Sequence, residues 1–140
     1  MSQGEHDGVI REIARTRIDL NRYLVETNLG RSGEHRVVNI EVGQQMFPDV
    51  IVKDRDSGQI HALYEVETGE SVNAEEAQQE WRLYGSLRCK FVLVVPADRV
   101  QEACGLIEEY DINIDRLEAY EVDPQGRIDL DILGPSRDDI

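Results

Sequence analysis

Three acids sit at the ends of two adjacent apolar runs, and their spacing is the chemistry-bearing feature of the chain. Phe47-Pro48-Asp49-Val50-Ile51-Val52-Lys53 opens on a proline–aspartate pair, and Leu63-Tyr64-Glu65-Val66-Glu67-Thr68 carries two acids one residue apart. Acids are depleted in strands, so three of them in such runs point to a shared site. Between the runs, Arg55-Asp56-Ser57-Gly58-Gln59 has the turn chemistry of a hairpin loop of about five residues. Centring the turn on Ser57 sets Asp49 opposite Glu65, on one face and with Cβ atoms roughly 4.5–5.5 Å apart. Alternation adds Glu67 to that face and turns Tyr64 and Val66 away. Opposed like charges need a cation or a proton, and Mg²⁺, a hard ion held by one or two carboxylates, waters and phosphate oxygens, fits that need.

These acids need elements to hold them. From Asp7 to about Asn28, Ile10, Ile13, Ala14, Ile18 and Leu24 or Val25 recur at helical spacing. Gly30 to Gly33 is a break, and Arg36 to Val42 reads as a strand. The hairpin occupies roughly Asp49–Asp54 and Ile60–Thr68. Ser71 to Leu87 reads as a second helix, capped by Ser71 or Asn73. Lys90 to Pro96 is a nearly continuous apolar run, as expected of a strand covered on both faces. Ala97 to Tyr110 gives a third helix, Leu117 to Val122 a strand, and Arg127 to Leu133 an edge strand. The order predicts an α/β protein, a three-layer α/β/α sandwich around a central mixed sheet. One domain over residues 1–133 is followed by an acidic tail over 134–140.

Twenty-nine acids against fifteen bases give a net charge of −14, which argues against simple tracking along phosphates. A metal-dependent enzyme is compatible with it, because the ion supplies local positive charge. Only Lys53 and Lys90 are lysines. Cys89 and Cys104 lack metal-ligand spacing and read as buried reduced thiols, and His6, His35 and His61 are scattered, which argues against zinc. With no apolar stretch of membrane-spanning length and no visible signal peptide, the expectation is a soluble, cytoplasmic protein.

The element order, Pro48-Asp49 and Glu65-Val66-Glu67 together resemble the PD-(D/E)xK superfamily of restriction-endonuclease-like nucleases over roughly residues 8–122. The resemblance makes Asp49 the first acid and Glu65 the second, and sets Glu67 where that family usually has lysine. It implies hydrolysis of phosphodiester bonds in DNA, in repair or defence, with Mg²⁺ or Mn²⁺ held by Asp49, Glu65 and the Val66 carbonyl. A glutamate at position 67 could serve as general base or metal ligand. Lys53 lies roughly 13 Å along the strand from Asp49 and is a poor substitute for the missing lysine, whereas Lys90 stays open. By the same resemblance, Glu12 or Asp19 assists from the first helix, and Gln79, among Gln78, Gln79 and Glu80, faces the site from the second. Self-association as a homodimer is a further implication.

Arg11, Arg15 and Arg22 fall within about 40° of one another on a helical wheel and read as a solvated face more readily than as phosphate contacts. Trp81 and Tyr84 read as core more readily than as base-stacking residues. The alternative to a nuclease is a catalytically degenerate fold member acting as a binding or structural subunit with a protein partner, or a small regulatory protein with a merely solvated acid cluster.

Overall fold

The computed structural model describes residues 3–29, 37–39 and 44–135. Helix α1 (Gln3–Thr16) precedes strands β1 (Tyr23–Thr27), β2 (Val37–Asn39), β3 (Gln44–Met46), β4 (Val50–Asp54) and β5 (Ile60–Val66). A helix in three parts follows: α2 (Ala74–Glu76), a π-helical segment (Ala77–Trp81) and α3 (Arg82–Gly85). Strand β6 (Lys90–Pro96), a 3₁₀ turn (Ala97–Arg99), α4 (Val100–Glu109), β7 (Arg116–Val122) and β8 (Ile128–Pro135) complete the chain. One six-stranded mixed sheet runs β1-β4-β5-β6-β7-β8, and β2 and β3 form a separate two-stranded ribbon. The β5–β6 and β6–β7 pairs are parallel and the others antiparallel. No described helix is long and apolar enough to cross a membrane.

Alternation along the strands divides the apolar residues between two cores. Val50, Val52, Ala62, Tyr64, Val92 and Val94 meet Val9, Ile10 and Ile13 of α1. Ile51, Leu63, Phe91, Leu93 and Val95 meet Ala77, Trp81, Tyr84 and Ala103 on the opposite side. Strand β6 is buried on both faces, as its unbroken apolar run requires. The helices therefore cover both faces of a mixed α/β sheet.

The β4–β5 hairpin has the register that the turn arithmetic gives. Val50 pairs with Tyr64, Ile51 with Leu63 and Val52 with Ala62, and one step further along that register sets Asp49 against Glu65. A bulge between Val52 and Lys53 closes the hairpin, and the Asp54 carboxylate accepts the N–H groups of Asp56 and Ser57.

Three expectations are corrected. The first helix stops at Thr16 rather than Asn28, because Asp19 builds a turn: its carbonyl accepts the Arg22 and Tyr23 N–H groups and its carboxylate accepts that of Asn21. Tyr23–Thr27 then lies antiparallel on β4 as an edge strand. Arg22 thus leaves the arginine stripe and stacks over the Tyr23 ring, while Arg15 pairs with Glu12. Of the strand expected at Arg36–Val42, the described residues Val37–Asn39 form β2, which pairs with β3 outside the six-stranded sheet; its other residues and the Gly30–Gly33 break lie outside the described residues. Cys104 is exposed and Cys89 half-buried, both free, so the pair of buried thiols is not found. Strand β8 continues through Pro135, two residues into the expected tail, and residues 136–140 lie outside the described residues.

A charged network is sealed under α1. Glu118 on β7 is fully buried and accepts Arg17 Nε at 2.8 Å and Arg116 Nε at 3.0 Å. Arg116 also donates to the Tyr64 hydroxyl at 3.1 Å, and Arg17 to the Leu130 carbonyl at 3.2 Å. Burial pushes the Tyr64 hydroxyl up to about 12.

At the outer edge of the sheet, exposure along β8 alternates: Ile128 and Leu130 pack toward α1, while Asp129 and Asp131 are exposed on the other face. Glu121, also exposed, stands directly opposite Asp129.

Gly85 ends α3 against the loop before β7, where a Cβ would overlap the Asn113 carbonyl oxygen. A backbone atom gives way poorly, so Gly85→Ala is expected to cost about 1–3 kcal/mol, read as a lower urea midpoint with unchanged slope.

Candidate functional site

Asp49 is the first residue to position. Asn28 fixes its backbone: the Asn28 N–H donates to the Asp49 carbonyl at 3.0 Å, and Asn28 Nδ2 donates to the Pro48 carbonyl at 2.6 Å. Its carboxylate then reaches across the hairpin, with Oδ2 accepting the Val66 N–H at 2.7 Å. Oδ1 faces His6 of α1, whose Nε2 is 3.5 Å away. The same Nε2 lies 3.0 Å from the Val66 carbonyl oxygen. The hydrogen bond to Asp49 is the main cause that pushes the His6 imidazole up to about 9, with the charge attraction of Asp49 adding to it against the opposing effect of burial.

Glu65 and Glu67 leave β5 toward the interrupted helix, and both are buried. Burial, the neighbouring Asp49 and Glu67 charges, and hydrogen bonds with Glu80 and Asp49 hold the Glu65 carboxyl well above the usual carboxylate range. Glu67 is pushed up to about 7, chiefly by burial, with bonds from Ser71 and Trp81 opposing the rise. The Trp81 indole N–H donates to Glu67 Oε1 at 3.0 Å, and the Tyr120 hydroxyl donates to the Glu67 carbonyl at 2.8 Å. Glu67 is thus built into the interior.

The helix closes the cluster. Asn73 caps it by accepting the Glu76 N–H. Glu76 and Glu80, four residues apart, share the face toward the sheet. One carboxylate oxygen from each of Glu65, Glu67, Glu76 and Glu80 lies within 4.8 Å of the others. Burial and the adjoining Glu80 push Glu76 up to about 8. The π-helical segment carries Glu80 and lies within this stretch, as π turns often do at functional sites.

The sequence-predicted residues thus separate. Asp49, Glu65 and Glu67 come together, and the Val66 carbonyl adjoins Asp49 through His6. Gln79 is exposed and lines a small cleft beside Glu80, so the helix presents Glu76 and Glu80 to the acids instead. Glu12 pairs with Arg15 and Asp19 caps its own turn, which leaves His6 as the α1 group at the site. Lys53 pairs with Glu26. Lys90, held near Asp115, is paired with Ala62, three residues along β5 from Glu65. Roughly 10 Å of strand separates it from the acids. His6 and Glu76 were not anticipated from the sequence, and Glu80 stood there only as an alternative to Gln79; the four-residue spacing of the two glutamates was the available signal.

The donor set suits a hard divalent cation. It is built of carboxylate oxygens with a carbonyl nearby, and burial, with the neighbouring acids adding to it, holds Glu65, Glu67 and Glu76 above the usual carboxylate range. A hollow of about 530 Å³ is lined by Gly69 and Tyr120 and by the acids Glu5, Asp98 and Glu121, and Tyr120 links it to the site through the Glu67 carbonyl. No family model matches the chain, and no curated protein or solved structure matches it.

Proposed function

We propose that the chain is a divalent-metal-dependent hydrolase of phosphodiester bonds in DNA with a restriction-endonuclease-like fold. The observation that carries this reading is the meeting of Asp49 with Glu65 across the β4–β5 hairpin, where Glu65 in turn joins Glu67, Glu76 and Glu80 in a cluster of carboxylates. The sheet order supports it, with an antiparallel β1-β4-β5 meander followed by parallel β6 and β7 and helices on both faces. In this reading Asp49, Glu65 and the Val66 carbonyl would hold Mg²⁺ or Mn²⁺. The bound ion supplies an activated water and offsets charge developing on the phosphate. Within the chain, the Val66 N–H and His6 orient the Asp49 carboxylate. Glu67, fixed by the Trp81 indole N–H, accepts the proton of the attacking water in the role the resemblance leaves to that position. Glu76 and Glu80 add negative charge on the helix side, strengthening the hold on a divalent ion.

The test is cleavage of single-stranded, double-stranded and branched DNA with Mg²⁺ and Mn²⁺. Asp49→Ala is expected to abolish cleavage, and Glu67→Gln to slow it by roughly 10²–10⁴-fold. Cleavage persisting in Asp49→Ala would remove the proposed site. A second reading, a binding subunit that has lost catalysis, is favoured by the burial of Glu67 and the engagement of both lysines elsewhere. It predicts no cleavage with any divalent ion.

A further inference from the structure

The protein has eight aromatic side chains, and all but two are buried: Tyr23, Tyr64, Trp81, Tyr84, Phe91 and Tyr120 lie in the cores, and Tyr110 is half-buried. Phe47 is the exception, at 46% exposure. A single exposed apolar residue is ordinary on a protein surface. The placement of this one is not. It stands two residues before Asp49, on backbone that Asn28 pins through the Pro48 and Asp49 carbonyls. It lines a cleft of about 80 Å³ together with Gln45, Gln79 and Glu80. Glu80 belongs equally to the carboxylate cluster, so the ring and the acids share one wall.

We infer that Phe47 is a stacking platform for an unpaired nucleobase, with the Gln79 amide facing the base edge, so that the substrate is single-stranded or locally unpaired DNA. This rests on the nuclease reading above and gives it a substrate class. A base inside a duplex already has both faces stacked, whereas a base in a single strand offers one to an aromatic ring. The cleft is too small to swallow a base, which suits a base lying over the ring with only its edge in the notch. Trp81, Tyr84 and Tyr120, the other aromatics near the acids, are buried and unavailable for stacking.

The test is fluorescence anisotropy of a 12-nucleotide single strand and its duplex with Ca²⁺, comparing wild type, Phe47→Ala and Phe47→Trp, and repeating the single strand with abasic sites. Phe47→Ala is expected to weaken single-strand binding about tenfold, within the range for loss of one base–aromatic stack. Phe47→Trp should bind as tightly as wild type or more so. Abasic substitution should cost the wild type the same factor and Phe47→Ala almost nothing. Equal binding of single strand by wild type and Phe47→Ala would overturn the inference, and a ring that instead docks a protein partner would give this result. Binding of duplex but not single strand would also overturn it, while leaving the nuclease reading intact. No binding of either DNA by the wild type would remove both.

Discussion

In divalent-free buffer, stability is expected to fall as the pH is raised from about 5 to about 8. The cause is the carboxylate cluster. Glu65, Glu67 and Glu76 all have folded pKa values above that of a free glutamate, so the native state keeps protons that the unfolded chain releases near 4.5. A raised acid contributes its stability in full below the unfolded value and loses it as the pH climbs through the folded one. For Glu67 the gap from 4.5 to about 7 corresponds to about 3 kcal/mol. Glu76, more open to water, acts in the same direction up to about 8. His6 extends the decline: its stabilisation is complete below 6.5 and disappears through about 9. Mn²⁺ should flatten the slope, since the ion takes over the neutralising role of the protons and displaces them on binding. Urea midpoints at pH 5.5 and 8.5, in EDTA and in Mn²⁺, read the effect directly. A midpoint that rises with pH in EDTA would mean that the cluster is ionised in the native protein.

Glu118→Ala is expected to destabilise the fold by about 3–5 kcal/mol, a large share of the stability of an ordinary domain. The substitution removes a fully buried carboxylate that accepts both Arg17 Nε and Arg116 Nε. It also releases the tether from the end of α1 to β7. Glu118→Gln retains the volume and one acceptor and should cost less. Chemical denaturation of both variants decides it. An alanine variant within about 1 kcal/mol of wild type would show that the arginines reach water without the glutamate, the outcome typical of surface pairs.

The hairpin was legible because its register is local. Asp54 to Gly58 can form few turns, and alternation from that turn fixes which side chains share a face, so Asp49 and Glu65 could be matched by counting. The unbroken β6 run was legible for a similar reason. The first helix misled because Ile18, Leu24 and Val25 happen to continue its spacing; the Asp19 turn and the strand-forming Tyr23-Leu24-Val25 carried the opposing signal. His6 lay beyond reach, since it is sixty residues from Val66 and meets it only through the docking of α1 on the sheet. Gln79 against Glu80 was a question of helical phase, and the π-helical segment alters that phase locally.

The acids on β8 set a condition on how copies of this chain can meet. An outer strand offers a row of unsatisfied N–H and C=O groups that invites another strand. Among the described residues none pairs with the outer side of β8. A second copy adding there would bring its own Asp129 and Asp131 beside a face that already opposes Glu121 to Asp129. The repulsion acts over a screening length of about 10 Å at 0.1 M salt and about 3 Å at 1 M. Ionic strength is therefore expected to act on self-recognition: dilute salt should disfavour the pairing of this edge with its own copy, and high salt should relax that barrier.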